Sequence, residues 1–231
     1  MARDDNGGAA LTVADRAPSP PIRHLSLPDA VRLTLRRRII NNELPEGTRL
    51  LEAQLAEEFG VSRTTLRSAL RDLKNDGLVE ISPRRGAFVA RMDPSDIRDI
   101  CFARYVLEAG AASELRIDDE VLRALEDALQ DMAAAAAKGD LEAIVEADTR
   151  LHGVVVTRGG GHRVVVLWHG LDGQMGSLMR SSLERQGIDL GEAVDRHRLL
   201  IDAFATRRRP TIVRAIREHY LDATTPVKAT S

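Results

Sequence analysis

The pattern of apolar positions changes character near residue 92. Ahead of that point, Leu51, Leu55 and Phe59 recur every four residues and predict a short helix, ended by Gly60 in a left-handed conformation. Ser62 stands where it can cap a second helix, and Leu66, Ala69, Leu70 and Leu73 give that helix one apolar stripe. After Asp76 and Gly77 the period changes to two. Short alternating runs, Leu78 to Ile81 and Ala87 to Val89, meet through Pro83, Arg84, Arg85 and Gly86 and predict a hairpin. A basic amphipathic helix, Leu27 to Asn41, precedes this unit with Val31, Leu35 and Ile39 on one side.

Beyond Met92 the chain is alanine-rich and favours helix throughout. Asp93, Pro94 and Asp96 form a helix start. Later breaks at Ile117-Asp118-Asp119, Lys138-Gly139-Asp140, Gly159-Gly160-Gly161, Gly187 to Gly191 and Arg209-Pro210 divide the rest into about six helices, hence a bundle. Ala133 to Ala137 only fills a helix. The expected fold is mainly α: a winged helix-turn-helix over 25–92, then an all-α helical bundle over 93–222. Residues 1–24, with paired glycines and Pro18-Ser19-Pro20-Pro21, are expected to be a disordered arm, and 223–231 a tail.

Charge separates the two halves. Residues 25–92 hold 12 Lys/Arg against 9 Asp/Glu, a net of +3, whereas 93–222 hold 17 against 23, a net of −6. The front half therefore suits a polyanion, and double-stranded DNA is the expected partner. Ser62, Arg63, Thr64, Thr65 and Arg67 lie on the polar face of the second helix, a chemistry suited to a major groove, where Arg reads guanine edges and hydroxyls grip phosphates. Arg84, Arg85 and Gly86 form a hairpin tip suited to the negative potential of a minor groove. Arg36, Arg37 and Arg38 either meet phosphates or are solvated charge. One cysteine, Cys101, excludes an intramolecular disulfide. With no apolar run long enough for a signal or a membrane span, a cytoplasmic protein is expected.

The rear half carries a second constellation, Asp148, His152, His197 and His219. Asp148 and His152 are four apart, so a carboxylate and an imidazole share one helical face. His197 falls on the fifth predicted helix of the bundle and His219 on the sixth, and packing these against the third can bring all four to the centre. Spacing alone equally allows separate surface or core histidines. A metal-dependent hydrolase is disfavoured, because there is no His-Glu-x-x-His, no Gly-x-Ser-x-Gly and no phosphate loop.

Residues 27–92 resemble the DNA-binding domain of the GntR family of bacterial transcription regulators. The resemblance rests on Asn42-Glu43-Leu44-Pro45-Glu46-Gly47-Thr48-Arg49-Leu50, on Gly60-Val61-Ser62-Arg63-Thr64-Thr65-Leu66-Arg67, and on Asp76-Gly77-Leu78-Val79 with Arg85-Gly86-Ala87. Glu46 and Ser68 depart from the family pattern, which has a proline and a glutamate there, and Ser68 bears on how Arg67 is oriented. Residues 95–222 resemble the FCD effector domain of the FadR-type subgroup, through the segments around Asp148 and His152, Asp195 to Ala203, and Arg217 to Leu221.

That resemblance implies a divalent metal ion on Asp148, His152, His197 and His219, with zinc the first expectation and nickel or manganese as alternatives. It also implies a small carboxylate or hydroxycarboxylate effector. An octahedral ion would leave two positions open for such an acid, and a tetrahedral one none. Arg104 and Glu108 match the family's Arg-x-x-Leu-Glu signature, so Arg104 is expected to hold the effector's carboxylate, with Arg180 a second candidate; a plain i,i+4 ion pair is the alternative for Arg104 and Glu108. His162 stands where the family has Gly-Asn, and Arg207-Arg208-Arg209-Pro210 where it has a Gly-Asp turn. The expected protein is a homodimeric, effector-controlled regulator, most often a repressor in this family, because two readers on a palindrome double the base contacts. A metal-sensing regulator would use the same residues.

Overall fold

The structure, a computed structural model, describes the backbone of residues 26–186 and 189–222; the expected arm, 1–24, and tail, 223–231, lie outside the described residues. Ser26 caps the first helix, α1 (Leu27–Ile40), by accepting from the Asp29 N–H at 3.3 Å. Val31, Leu35 and Ile39 are buried as the pattern requires. The short α2 (Glu52–Glu58) ends at Gly60 with φ +62°, and α3 (Arg63–Asn75) starts at Ser62, whose hydroxyl accepts from the Thr65 N–H at 3.1 Å. Leu66, Ala69, Leu70 and Leu73 of α3 close on Leu35, Leu78 and Val89, forming one core under the recognition helix.

The hairpin is β2 (Val79–Ser82) and β3 (Gly86–Val89), antiparallel, with Val79 opposite Val89. A third strand, β1 (Arg49–Leu50), pairs with the outer side of β3 and gives the order β1-β3-β2. Two residues show no alternation to read, so β1 exists only through its partner.

The rear half opens with α4 (Pro94–Glu114), where Asp93 and Asp96 make a reciprocal capping box. It continues through α5 (Asp119–Ala136), α6 (Leu141–Gly159), α7 (His162–His169), α8 (Met175–Gln186), α9 (Leu190–Ala205) and α10 (Arg209–Asp222). The described residues thus form seven α-helices here, against about six expected, because the stretch after Gly161 is interrupted. A single 3-10 turn, Asp172–Gln174, separates α7 from α8. The cause is tertiary: Asp172 turns toward the bundle, where its carboxylate accepts from Arg104 at 2.9 Å and meets His169 Nδ1 at 2.6 Å. A second core, built from Leu125, Leu129, Met132, Ile144, Leu151, Phe204 and Ile216 among others, is separate from the first.

Several contacts join the halves. Arg37 pairs with Glu142 of α6 at 2.8 Å, and Arg180 Nη2 donates to the Ile39 carbonyl at 3.3 Å. Arg38 pairs with Glu58 and lies over the Phe59 ring. Two of the three arginines of α1 offered above as phosphate contacts are therefore engaged within the chain. No described helix is long and apolar enough to cross a membrane.

Where α6 crosses α4, a Cβ at Gly159 would lie 2.1 Å from the Ala111 carbonyl oxygen. Gly159→Ala should therefore destabilise the protein by about 1–3 kcal/mol through overpacking. Gly110, on the open side of α4, has nothing within 4 Å of its added carbon, so Gly110→Ala should gain roughly 0.5–1 kcal/mol from the lower chain entropy. Urea unfolding of both variants checks the pair; shifts of the same sign would mean that α4 and α6 do not approach at this point.

Candidate metal centre and nucleic-acid interface

One turn of α6 places Asp148 and His152 on its inner face, while α9 and α10 bring in His197 and His219. The three imidazole centroids lie 4.5, 4.9 and 5.4 Å apart. One nitrogen from each ring falls within 4.8 Å of the others. Two donors on opposite sides of one ion, with bonds of about 2.1 Å, stand about 4.2 Å apart, so a small inward movement suffices for all three to share a metal. Asp148 Oδ1 is 2.9 Å from His197 Nε2 and 3.8 Å from His152 Nε2. All four residues named from the sequence are thus brought together.

Their tautomers are set from outside. His152 Nδ1 donates to both oxygens of Glu108 at 2.9 Å, which leaves Nε2 as the lone-pair atom. That Nε2 is buried and has no hydrogen-bond partner among the described residues, as have Asp148 Oδ2 and His219 Nδ1. His197 Nδ1 faces the Ala193 carbonyl at 2.7 Å. A carbonyl only accepts, so Nδ1 carries a proton; Nε2, facing a carboxylate oxygen, then needs either a second proton or a shared cation. Orphaned polar atoms inside a dry bundle are costly, and a cation satisfies them together. The donor set, imidazole with one carboxylate, fits zinc, nickel or manganese.

The electrostatics of Asp148 and His219 agree with that fit, whereas His152 would have to give up a proton to the ion. Burial disfavours the charged form of Asp148, but His152, His197 and Arg104 overcome this and hold its carboxyl below the usual range. Burial, with the neighbouring His197 and His152, holds His219 well below an ordinary histidine, so it is neutral with a lone pair to give. His152 moves up despite its burial, because Glu108 and Asp148 flank it. Burial raises the Cys101 thiol to about 11, which disqualifies it as a thiolate ligand.

Arg104 is fully buried, its guanidinium stacked 4.0 Å from the Trp168 ring. It is bonded to Asp172 and, at 3.4 Å, to the Tyr220 hydroxyl, which donates to Glu108 at 2.7 Å. The i,i+4 pair of Arg104 with Glu108 is thus replaced by a longer network in which each has its own partners. Tyr220 and Asp172 were not singled out from the sequence; Tyr220 adjoins a ligand histidine, a usable signal, whereas nothing near Asp172 marks it. Arg180 lies at the seam with α1, bonded to the Ile39 carbonyl.

At the other end of the molecule, Arg63 and Thr64 are exposed at the first turn of α3, beside the Ser62 cap, whose hydroxyl also meets Thr65 Oγ1 at 2.8 Å. Arg67 is exposed one turn on, and Glu52 of α2 holds its Nε at 2.7 Å. Glu52 therefore supplies a carboxylate that orients Arg67. Arg84 and Arg85 are exposed at the tip of the wing, where Gly86 takes φ +92°.

Residues 27–89 match the bacterial regulatory proteins of the gntR family, and residues 99–222 match the FCD domain. The chain belongs to the GntR family and carries its FCD domain. It is a DNA-binding transcriptional regulator, as the family and its relatives are, and not an enzyme. An HTH-type transcriptional regulator of Agrobacterium vitis, from the TAR-I ttuE-ttuC' intergenic region, is 34% identical over 162 residues, 64% of this chain and 95% of that protein. The gluconate operon transcriptional repressor of Bacillus licheniformis is 29% identical over 198 residues, 83% of this chain and 81% of the repressor. In fold the GntR-type regulator resembles a transcriptional regulator from Rhodococcus sp. RHA1, with TM-score 0.72 at 23% identity over 85% of this chain and 95% of that one. It also resembles McbR/YncC of E. coli, with TM-score 0.66 at 23% identity over 86% and 95% of the two chains.

Tyr220→Phe removes the hydroxyl that bridges Arg104 and Glu108. It should cost about 1–3 kcal/mol, since two buried charged groups each lose a partner. Chemical denaturation of the purified regulator reads this, and a shift below about 0.5 kcal/mol would mean that the bridge does not stabilise the fold.

Proposed function

We propose that this regulator binds a palindromic operator as a homodimer and that a small carboxylate or hydroxycarboxylate controls it by docking at a divalent ion. The ion is held by Asp148, His152, His197 and His219, with zinc the first expectation. The observation that carries the reading is the set of buried, unpartnered donor atoms on two helices: His152 Nε2 and Asp148 Oδ2 on α6, and His219 Nδ1 on α10. A divalent ion in that position supplies residual positive charge and, when its coordination is octahedral, two open positions for an anion. The chain's own residues do the rest. Glu108 orients His152, the Ala193 carbonyl orients His197, and Arg104 stands three hydrogen bonds from His152, through Tyr220 and Glu108, as a second anion contact. The gluconate operon repressors among the relatives make gluconate the first hydroxycarboxylate to try.

Arg63, Thr64, Thr65 and Arg67, with the cap at Ser62, read the major groove, and Arg84, Arg85 and Gly86 follow the adjacent minor groove. The fold supports this by leaving the arginines of both elements exposed on the basic half of the chain. Pairing of two copies is supported by an uncovered apolar stripe on α4, where Phe102 and Val106 are 58% and 49% exposed. A single buried thiol and the absence of any described membrane-length helix are in keeping with action in the cytoplasm.

Purified protein should hold close to one divalent ion per chain by elemental analysis. His197→Ala or His219→Ala should remove most of it and lower the melting temperature, because an ion that joins three helices binds only the folded state. Full metal content in both variants would move the site elsewhere, and an ion that leaves on simple dialysis would make the metal itself the signal.

Arg63→Ala and Arg67→Ala should each weaken operator binding by about 1–3 kcal/mol at fixed salt, read by gel-shift titration on the DNA upstream of the gene. Arg85→Ala should lower specific and nonspecific affinity by similar factors. Unchanged operator affinity in both α3 variants would remove that helix as the reader.

A further inference from the structure

The buried Arg104 already holds a carboxylate, and holds it incompletely. Its Nη1 donates to Asp172 Oδ1 at 2.9 Å, while Nη2, equally buried, has no partner among the described residues. The other oxygen of Asp172 is taken by His169 Nδ1 at 2.6 Å. A guanidinium fork binds a carboxylate best through two parallel bonds, and Asp172 makes one. A free acid that reached Arg104 could use both nitrogens. The exchange is also one-sided, because the Asp172 side chain is 22% exposed whereas Arg104 is not exposed at all. Released, Asp172 can reach water; Arg104 cannot follow.

Asp172 stands on the turn that separates α7 from α8, and this turn is pressed against the far end of the recognition helix. A Cβ on Gly173 would lie 2.3 Å from the carbonyl oxygen of Asp76, the residue that ends α3. One on Gly77 would lie 2.1 Å from Gln174 Nε2. Asp76 is in turn held by Arg32 of α1 at 2.7 Å. Where Gly173 meets the Asp76 backbone no long side chain lies between to absorb a shift, so the turn cannot move toward the reader without moving Asp76, nor away without opening a gap. In the other direction Arg104 connects through Tyr220 and Glu108 to His152.

We propose that Asp172 is an internal carboxylate that occupies Arg104 in place of a ligand's acid group, and that its turn, Asp172–Gln174, transmits the exchange to the C-terminal end of α3. The competition rests on the reading that a small acid enters this cavity; the mechanical link between turn and helix does not. Asp172 is a positioning residue that acts through Arg104, and Trp168, the only tryptophan in the chain, reports on that guanidinium by fluorescence because it stacks on it.

The test uses the full-length, zinc-loaded protein and the variants Asp172→Asn and Gln174→Ala, with citrate as the probe. Without citrate, Asp172→Asn should speed amide hydrogen exchange in residues 170–175 and also in 75–78, whereas faster exchange confined to 170–175 would overturn the link. Gln174→Ala should loosen 75–78 while leaving the Trp168 emission as in the wild type; a normal 75–78 segment would again count against it. With citrate, Asp172→Asn should bind roughly fivefold or more tightly by Trp168 titration, since the competitor is gone, and equal or weaker binding would overturn the competition. A merely structural loss at Asp172 would not tighten binding. Failure of citrate to bind either protein counts against the acid-binding reading of the cavity, and the exchange data then decide the link alone.

Discussion

A guanidinium, two carboxylates and two imidazoles cannot enter the middle of an apolar bundle singly. Arg104, Glu108, Asp148, His152 and His197 are all buried, and each would cost several kcal/mol if left unpaired there. The bundle is arranged so that none is alone. Glu108 serves His152 and Tyr220, Asp148 serves His197, and Arg104 is shared by Asp172, Tyr220 and the face of Trp168. Four helices, α4, α6, α9 and α10, meet at this network, and their positions are interdependent because moving one strands a charge on another. The interruption between α7 and α8 is part of the same requirement, since it delivers the carboxylate that Arg104 needs.

The network holds its ligand rings from the outer side and is open at its centre. Hydrogen bonds to Glu108 and to a backbone carbonyl orient two of the imidazoles, but the inward atoms His152 Nε2, Asp148 Oδ2 and His219 Nδ1 have no partner among the described residues. Support from outside with open donors inside is how a protein prepares a cation site, because the orienting partners resist rotation of the rings before the ion arrives. Arg104 is joined to this centre by three hydrogen bonds, through Tyr220 and Glu108 to His152, and the intervening Glu108 carboxylate offsets the like charges of a guanidinium and a metal cation.

Coupling to DNA needs a path that does not absorb strain, and glycine contacts provide one. Gly173 meets the Asp76 carbonyl backbone to backbone, while Gly77 and Gly176 admit the Gln174 and Ile40 side chains against their own backbones. The ion pair of Arg37 with Glu142 lies at the edge of the same seam. Exposed pairs of that sort contribute little, so close packing, rather than surface charge, governs how the reader sits on the bundle.

Elements with a long periodic pattern could be read from the chain alone: the stripe of α3, the alternation of the wing, the cap at Ser62, the capping box at Asp93 and most helix breaks behind it. These are local, because the physics that forms them acts within one turn or one hairpin. The i,i+4 placement of Asp148 and His152 was readable for the same reason; His197 and His219 were candidates from their places on later helices, and the resemblance to the FCD domain added the reading of all four as metal ligands. Tertiary structure decided the remainder. Strand β1 needs β3 beside it. Arg37 and Arg38 find carboxylates that sequence distance hides. Glu52, not a neighbour in α3, orients Arg67. Most of all, the turn at Asp172 is only partly local: Gly170 ends α7 and Gly173 lies in the turn, but the carboxylate is drawn inward by a buried guanidinium 68 positions earlier in the chain. The sequence by itself determined which segments are helices and strands and which faces they bury. Which buried charges face one another was left to packing, because the cost of an unpaired charge is incurred only when distant segments exclude water together.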